Sequence, residues 1–218
     1  GYKDHLLCSK LLQTKSLSGI FFPPINAIKG ELLDVNAIHY LIGDRSVEVD
    51  QLLENIVSQV KERALEVTSW EGLPIPINDY LQQVSNSRYN DASTIFVKRL
   101  LQRDIIGDEN RKDVIHECLN SLSNISTTEH ACSLYLSPVE MQQMRTDGMY
   151  FGSHGLAHRW LNTLSSKEQQ TEVSQSFEEL KKLSLFNPNQ DPKVMCYPFG
   201  AYNLDTIDIL VDQNVDYS

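Results

Sequence analysis

Three short apolar runs constrain the fold of this chain more than any other feature. They lie at residues 17–22, 148–153 and 193–197, and each leads through a loop into a stretch of helical periodicity. Runs this short and this rich in β-prone residues predict buried strands. Pro23 and Pro24 end the first, and Pro198 ends the third, because proline cannot donate to a sheet ladder. A helix is predicted over 4–15, with Leu6, Leu7, Leu11 and Leu12 on one face. Another starts at Ser137-Pro138-Val139-Glu140, where proline sits in the first turn and glutamate at the third position. A long helix capped by Ser165 or Ser166 runs to about Leu185, with Val173, Phe177, Leu180 and Leu183 towards the core. A helix over 205–211 and the start of a strand over 215–217 close the series. Strands alternating with helices predict a parallel sheet.

The alternation pauses for about a hundred residues in the middle of the chain. Helices are predicted at 37–43, after a Ser46 cap with Val49, Leu52, Leu53, Ile56 and Val60 in phase, at 91–103 with Ile95, Phe96 and Leu100 inward, and at 109–122. A turn-rich break covers 70–76 and a polar loop covers 121–129. The whole is one domain, 1–218, with a helical insertion over 37–133. At 41% hydrophobic content the 218 residues can bury a sizeable core. The formal charge of −10, with no cluster of Lys or Arg, argues against nucleic acid and anionic membranes as partners. No apolar run reaches transmembrane length. Cys8, Cys118, Cys132 and Cys196 have no CxxC spacing, which favours free thiols in a reducing, cytoplasmic compartment over a disulfide framework.

Two segments carry chemistry. The first is Gly152-Ser153-His154-Gly155-Leu156-Ala157-His158-Arg159-Trp160-Leu161, directly after a predicted strand end. On a helical turn His154 and His158 share a face, so both imidazoles can reach one ion. The ordinary alternative is two histidines on a solvated helix face. The second is Lys193-Val194-Met195-Cys196-Tyr197-Pro198-Phe199-Gly200-Ala201-Tyr202-Asn203. Here Pro198 stops the strand and Gly200 permits a tight turn, leaving backbone N–H groups where a developing oxyanion could be held. An ordinary strand exit has the same signature. His5, His39, His116 and His130 have no partner at useful spacing, so they are expected at the surface or at caps.

Taken in this order, the two segments resemble the polysaccharide deacetylase (NodB-homology) family. The segment from Gly152 to His158 is similar to its metal-binding histidine motif, and the segment from Cys196 to Asn203 to its third motif. Gly1-Tyr2-Lys3-Asp4-His5, leading through a helix to Gly19-Ile20-Phe21-Phe22-Pro23, resembles the end of its first motif without that motif's two aspartates. The helix beginning at Ser137 also fits. The resemblance spans 1–34 and about 134–218 and leaves the middle of the chain uncovered.

The resemblance implies an α/β fold, a deformed (β/α) barrel of the deacetylase type, incomplete, with a large helical insertion and the site at the C-terminal strand ends. It implies a hydrolase that removes N-acetyl groups from an amino sugar or polysaccharide, using a divalent metal ion, zinc by preference. His154 and His158 would be metal ligands. Pro198 and Phe199 would form the catalytic turn whose backbone N–H holds the oxyanion. Trp160 and Tyr202 would line the site of an N-acetylated saccharide. For Trp160, anchoring the loop in the core is an equal alternative. The family's third ligand and its base are the two aspartates expected ahead of Gly1, and Asp4 lies on the wrong side of the glycine to replace them. A later histidine motif is expected beyond Ser218, so the chain is expected to be an inactive fragment of an active parent. The family often has arginine where Cys196 stands. Cys196 is expected to be a buried, inert strand thiol. A protein that keeps the scaffold only for binding carbohydrate or a partner is the alternative, which the missing arginine and the insertion both suit. The oligomeric state is left open.

Overall fold

The structure is a computed structural model and describes residues 2–83, 91–123 and 125–218. Along the chain run α1 (His5–Thr14), β1 (Ile20–Phe21), α2 (Ile25–Ile28), α3 (Asp34–Gly43), α4 (Val49–Glu62), β2 (Val67–Thr68), β3 (Pro74–Ile75) and α5 (Ile77–Tyr80). Then follow α6 (Ala92–Arg99), α7 (Asp108–Leu122), α8 (Thr127–Leu134), α9 (Pro138–Thr146), β4 (Tyr150–Phe151), α10 (Ser166–Lys182) and α11 (Leu204–Asp212). A π-helical turn, Leu100–Asp104, continues α6. The chain divides into two compact units, one of Gly1–Leu33 with Thr127–Ser218, the other Asp34–Ser126.

The first unit carries the parallel α/β arrangement. β1 pairs parallel with β4, Ile20 opposite Tyr150 and Phe21 opposite Phe151. Beyond β4 the ladder thins to single parallel bridges, Ser153 with Met195 and Val194 with Tyr217. The predicted strands at 17–22, 148–153 and 193–197 therefore lie parallel in chain order, with 215–217 beyond them. Only two residues of each of the first two form continuous strand, and the third is bridges alone. Leu17 and Ile20 are exposed, so the first run is not buried through its length. Gly1, the other end of the predicted site, lies outside the described residues.

The core of this unit forms where the periodic helices meet the strands. Val173, Phe177 and Leu180 of α10 pack with Phe21, Phe151, Met195, Ile209 and Leu210. α9 and α10 start at full capping boxes, Ser137 with Glu140 and Ser165 with Glu168, which satisfies N–H groups the first turn cannot pair. α1 corrects the sequence expectation. Leu6 and Leu12 pack on the core, whereas Leu7 and Leu11 are 73% and 61% exposed. Its inward face also carries His5, which is half-buried with its ring against Phe21 (centroids 5.3 Å). The predicted polar loop at 121–129 is shorter than expected, because α8 begins at Thr127.

The second unit is helical. Ala37, Ile38 and Leu41 of α3, Leu52, Ile56 and Val60 of α4, Phe96 and Val97 of α6, and Val114 and Ile115 of α7 are buried. The predicted break near Trp70 is a small antiparallel hairpin, β2 with β3. Ser46 does not cap α4. It binds Asp44, and Glu48 occupies the cap position. Asp104 is fully buried and accepts hydrogen bonds from Arg99 Nε (3.0 Å), Arg103 Nε (2.8 Å) and Tyr80 Oη (2.7 Å). A buried carboxylate is tolerable only with partners of this kind. Burial, helped by the Asp104 carboxylate, pushes the Tyr80 phenol well up.

Candidate functional site

The parallel contacts deliver two loops to the same end of the first unit. Ser153 N–H donates to the Val194 carbonyl and Cys196 N–H donates to the Ser153 carbonyl, both at 2.9 Å. The next residues on each side, His154 and Tyr197-Pro198-Phe199, leave the sheet together. His154 Nδ1 lies 2.7 Å from the Cys196 carbonyl. A carbonyl can only accept, so Nδ1 carries the proton and Nε2 presents a lone pair. Burial holds the His154 imidazole below its usual range, against the opposing pull of that carbonyl. The ring is therefore neutral at pH 7, the form that ligates metals.

His158 reaches His154 by a different route from the predicted one. The segment between them is a loop, not a helical turn. Gly155 (φ 72°) and His158 (φ 58°) turn the chain back on itself, and the two imidazoles meet edge to face with centroids 4.7 Å apart. Gly155 is required twice over. Its φ suits glycine, and a Cβ there would stand 2.8 Å from Glu172 Oε2.

Among the described residues six non-glycine positions have positive φ. Ser16, Ala64, Ser184 and Asn214 each follow the C-cap of a helix, where a left-handed residue is usual. The other two are His158 and Phe199, both at φ 58°, and both in the two site loops. Their rings touch edge to face at 4.6 Å, and Trp160 stacks on Phe199 at 4.4 Å and 7°. Backbone strain not explained by a helix end is thus concentrated where four aromatic rings run in contact: His154, His158, Phe199 and Trp160. The sequence casts Phe199 as a backbone donor. The structure adds a packing role for its ring.

Residues that the sequence did not single out hold this loop. α10 presents Gln169, Glu172 and Ser176, all buried, beside Val173 on its inner face. Glu172 Oε2 accepts from the N–H of Leu156 (2.7 Å) and of Ala157 (3.4 Å). Gly155 N–H donates to Ser153 Oγ (3.2 Å), which lies 2.5 Å from Ser176 Oγ, and Ser176 donates to the Val173 carbonyl (2.7 Å). The loop's carbonyls at Gly155 and Leu156 accept from the N–H of Ile25 (3.2 Å) and Asn26 (2.9 Å) of α2. Gln169 performs the same service for the second loop. It donates to Asn203 Oδ1 (3.3 Å) and accepts from Thr206 Oγ1 (2.5 Å) at the start of α11. Their one signal in the sequence is phase, since 169, 172 and 176 fall on the same helical stripe as Val173.

Of the remaining predicted residues, Pro198 is buried and approaches Gly155, its Cγ 3.9 Å from where a Cβ would stand. One face of Trp160 is covered by Phe199. Tyr202 is 54% exposed and stacks on Tyr197 at 4.9 Å, not on the histidines. Cys196 is exposed, not buried as expected, and faces the site through its carbonyl. All four cysteines are free thiols. Among the described residues no group of three or more His, Cys, Asp or Glu side chains gathers as a metal site would. His154 and His158 bring two imidazoles together, where a catalytic zinc typically takes three protein ligands.

A family model described as polysaccharide deacetylase matches residues 110–218, half of the chain. The chain belongs to the polysaccharide deacetylase family. The match contains both site loops and begins upstream of residue 134, where the motif resemblance starts. Two solved structures are similar over part of the chain. One is a family 4 carbohydrate esterase from Streptomyces lividans in complex with acetate, at 16% identity over 37% of this chain and 40% of that chain, with a TM-score of 0.33. The other is the Streptococcus pyogenes deacetylase PplD in complex with acetate, at 20% identity over 75% of this chain and 69% of that chain, with a TM-score of 0.34. The chain thus spans well under half of the first relative's length. No curated protein matches it. No described helix is long and apolar enough to cross a membrane.

Proposed function

We propose that the whole protein removes N-acetyl groups from an amino sugar or polysaccharide, and that its catalytic ion, a divalent metal with zinc preferred, is held in part by His154 and His158. The observation that carries this is the meeting of the two imidazoles at 4.7 Å, one locked as the Nδ1–H tautomer, in a family member whose model match contains both loops. An ion bound there would supply Lewis acidity towards a water and the acetamide carbonyl. His154 is kept neutral by burial and oriented by the Cys196 carbonyl, and its Nε2 is the donor. Phe199, left-handed at the turn after Pro198, is assigned the backbone N–H that meets the oxygen as negative charge develops. Trp160 and Tyr202 are assigned to the edge of the saccharide site. The proton acceptor for the water and the acid for the departing amine are assigned to the whole protein's remaining motifs. The parallel segments are assigned to a deformed (β/α) barrel.

The test is acetate release from an N-acetylated saccharide by the intact protein, with bound metal measured alongside. His154→Ala and His158→Ala are each expected to abolish release and lower metal content, because an ion that loses one ligand is weakly held. Release that survives both changes would overturn the mechanism. A parent that binds metal and saccharide but never frees acetate would instead be a carbohydrate-binding scaffold.

A further inference from the structure

The backbone of Gly155-Leu156-Ala157, which joins the two histidines, is held from both sides. Its carbonyls at Gly155 and Leu156 take N–H groups from α2, and the Gly155 N–H goes to Ser153 Oγ. The remaining two N–H groups, Leu156 and Ala157, converge on one atom, Glu172 Oε2. Glu172 is only 5% exposed and comes from α10, 14 positions beyond His158 in the sequence. A buried carboxylate with charge-assisted bonds to two adjacent N–H groups fixes the loop more firmly than a neutral acceptor would. It also sets the distance of the loop from α10, since Gly155 has no side chain to hold it off.

We propose that Glu172 is the positioning residue of the His154–His158 loop, the group that holds the two imidazoles in register for one ion. This rests on the assignment of the histidines as metal ligands. In that role Glu172 binds the N–H groups of Leu156 and Ala157. It acts through the backbone between the two imidazoles, and its effect should therefore appear in the loop before any metal is added.

The test uses the whole protein. Amide exchange is followed without metal in wild type, Glu172→Gln and Glu172→Ala. The Leu156 and Ala157 amides should exchange at least about tenfold faster in Glu172→Gln, as the charge-assisted bonds weaken. The Met195 and Cys196 amides, bonded to backbone carbonyls, should stay within about twofold, as bonds that the substitution leaves in place. Zinc titration of the folded protein should then show dissociation constants rising in the order wild type, Gln, Ala, by about 10–100-fold overall. Gln is the partial rescue, because its side-chain oxygen can still accept one N–H. Should Glu172→Ala fail to fold, Glu172→Gln carries the test. Unchanged exchange at Leu156 and Ala157 overturns the proposal. So does zinc affinity that is equal in wild type and variants while the thermal midpoint falls, for that is a merely structural role. If wild type takes up no zinc under any condition, the metal assignment fails, and the exchange data alone decide whether Glu172 sets the loop.

Discussion

His158 and Phe199 occupy left-handed backbone that costs an L-residue roughly 1–2 kcal/mol each. Ring packing offsets that: Phe199 meets His158 edge to face and stacks on Trp160. Aromatic pairs of this kind contribute about 0.5–1.5 kcal/mol each beyond area burial. Phe199→Leu should therefore lower stability by about 1–3 kcal/mol in urea unfolding, from two such pairs. A loss below about 0.5 kcal/mol would mean that the stack is incidental. Cys196→Ala should leave both stability and metal uptake nearly unchanged, because the site uses this residue's carbonyl and not its thiol. A changed metal affinity in Cys196→Ala would show that the thiol matters after all. The histidines, Pro198 and Phe199 were legible because a short motif names them. Glu172 was not, because its partners lie 15 and 16 positions away across a loop that no helical period describes.

α10 is the element on which both site loops depend, and its start is locally encoded. Ser165 caps it and Glu168 returns a bond to the cap. Hydrogen bonds from the Ser165 hydroxyl and N–H, with a further one from Arg159, hold the Glu168 carboxyl down at about 2. The ordinary value, 4.5, applies to the unfolded chain. The folded value is the lower one, so this contribution to stability is complete above about pH 4.5 and is lost as pH falls towards 2. Amide exchange in the first turn of α10 should rise through that window, and Glu168→Gln should flatten the dependence. A Glu168 carboxyl that titrates in the usual range by NMR would refute the assignment. Ser165→Ala should cost about 1 kcal/mol, the usual value of an N-cap, read by thermal unfolding. The strands contrast with the helices. Their parallel order was legible from the alternation, but their length was not. Pairing extends only where a neighbour offers matching groups, and beyond Phe151 that neighbour is present only as single bridges.

At the scale of the whole molecule the two units carry one tryptophan each, Trp160 in the first and Trp70 in the second. The hydrophobic cluster around α10 is drawn entirely from the first unit. A unit that holds its own core can open on its own. Equilibrium urea unfolding of Trp70→Phe and Trp160→Phe, each followed by the remaining tryptophan, should therefore give different midpoints. Coincident midpoints would mean that the chain unfolds as one cooperative body. The sequence by itself determined what depends on neighbours a few positions apart: the capping boxes of α9 and α10, the inward stripe Val173-Phe177-Leu180, the strand–helix alternation and the spacing of the two histidines. Short-range geometry settles these wherever the segment finally lies. Tertiary structure alone decided the rest. It exposed Leu7 and Leu11 on α1, because a helix buries only the face that meets a neighbour. It turned the histidine segment into a loop instead of a helical turn, because Glu172, Ser153 and the first N–H groups of α2 satisfy its backbone better than a local ladder would. And it brought Phe199 onto His158 across 41 positions of sequence, through parallel bridges whose register no local pattern encodes.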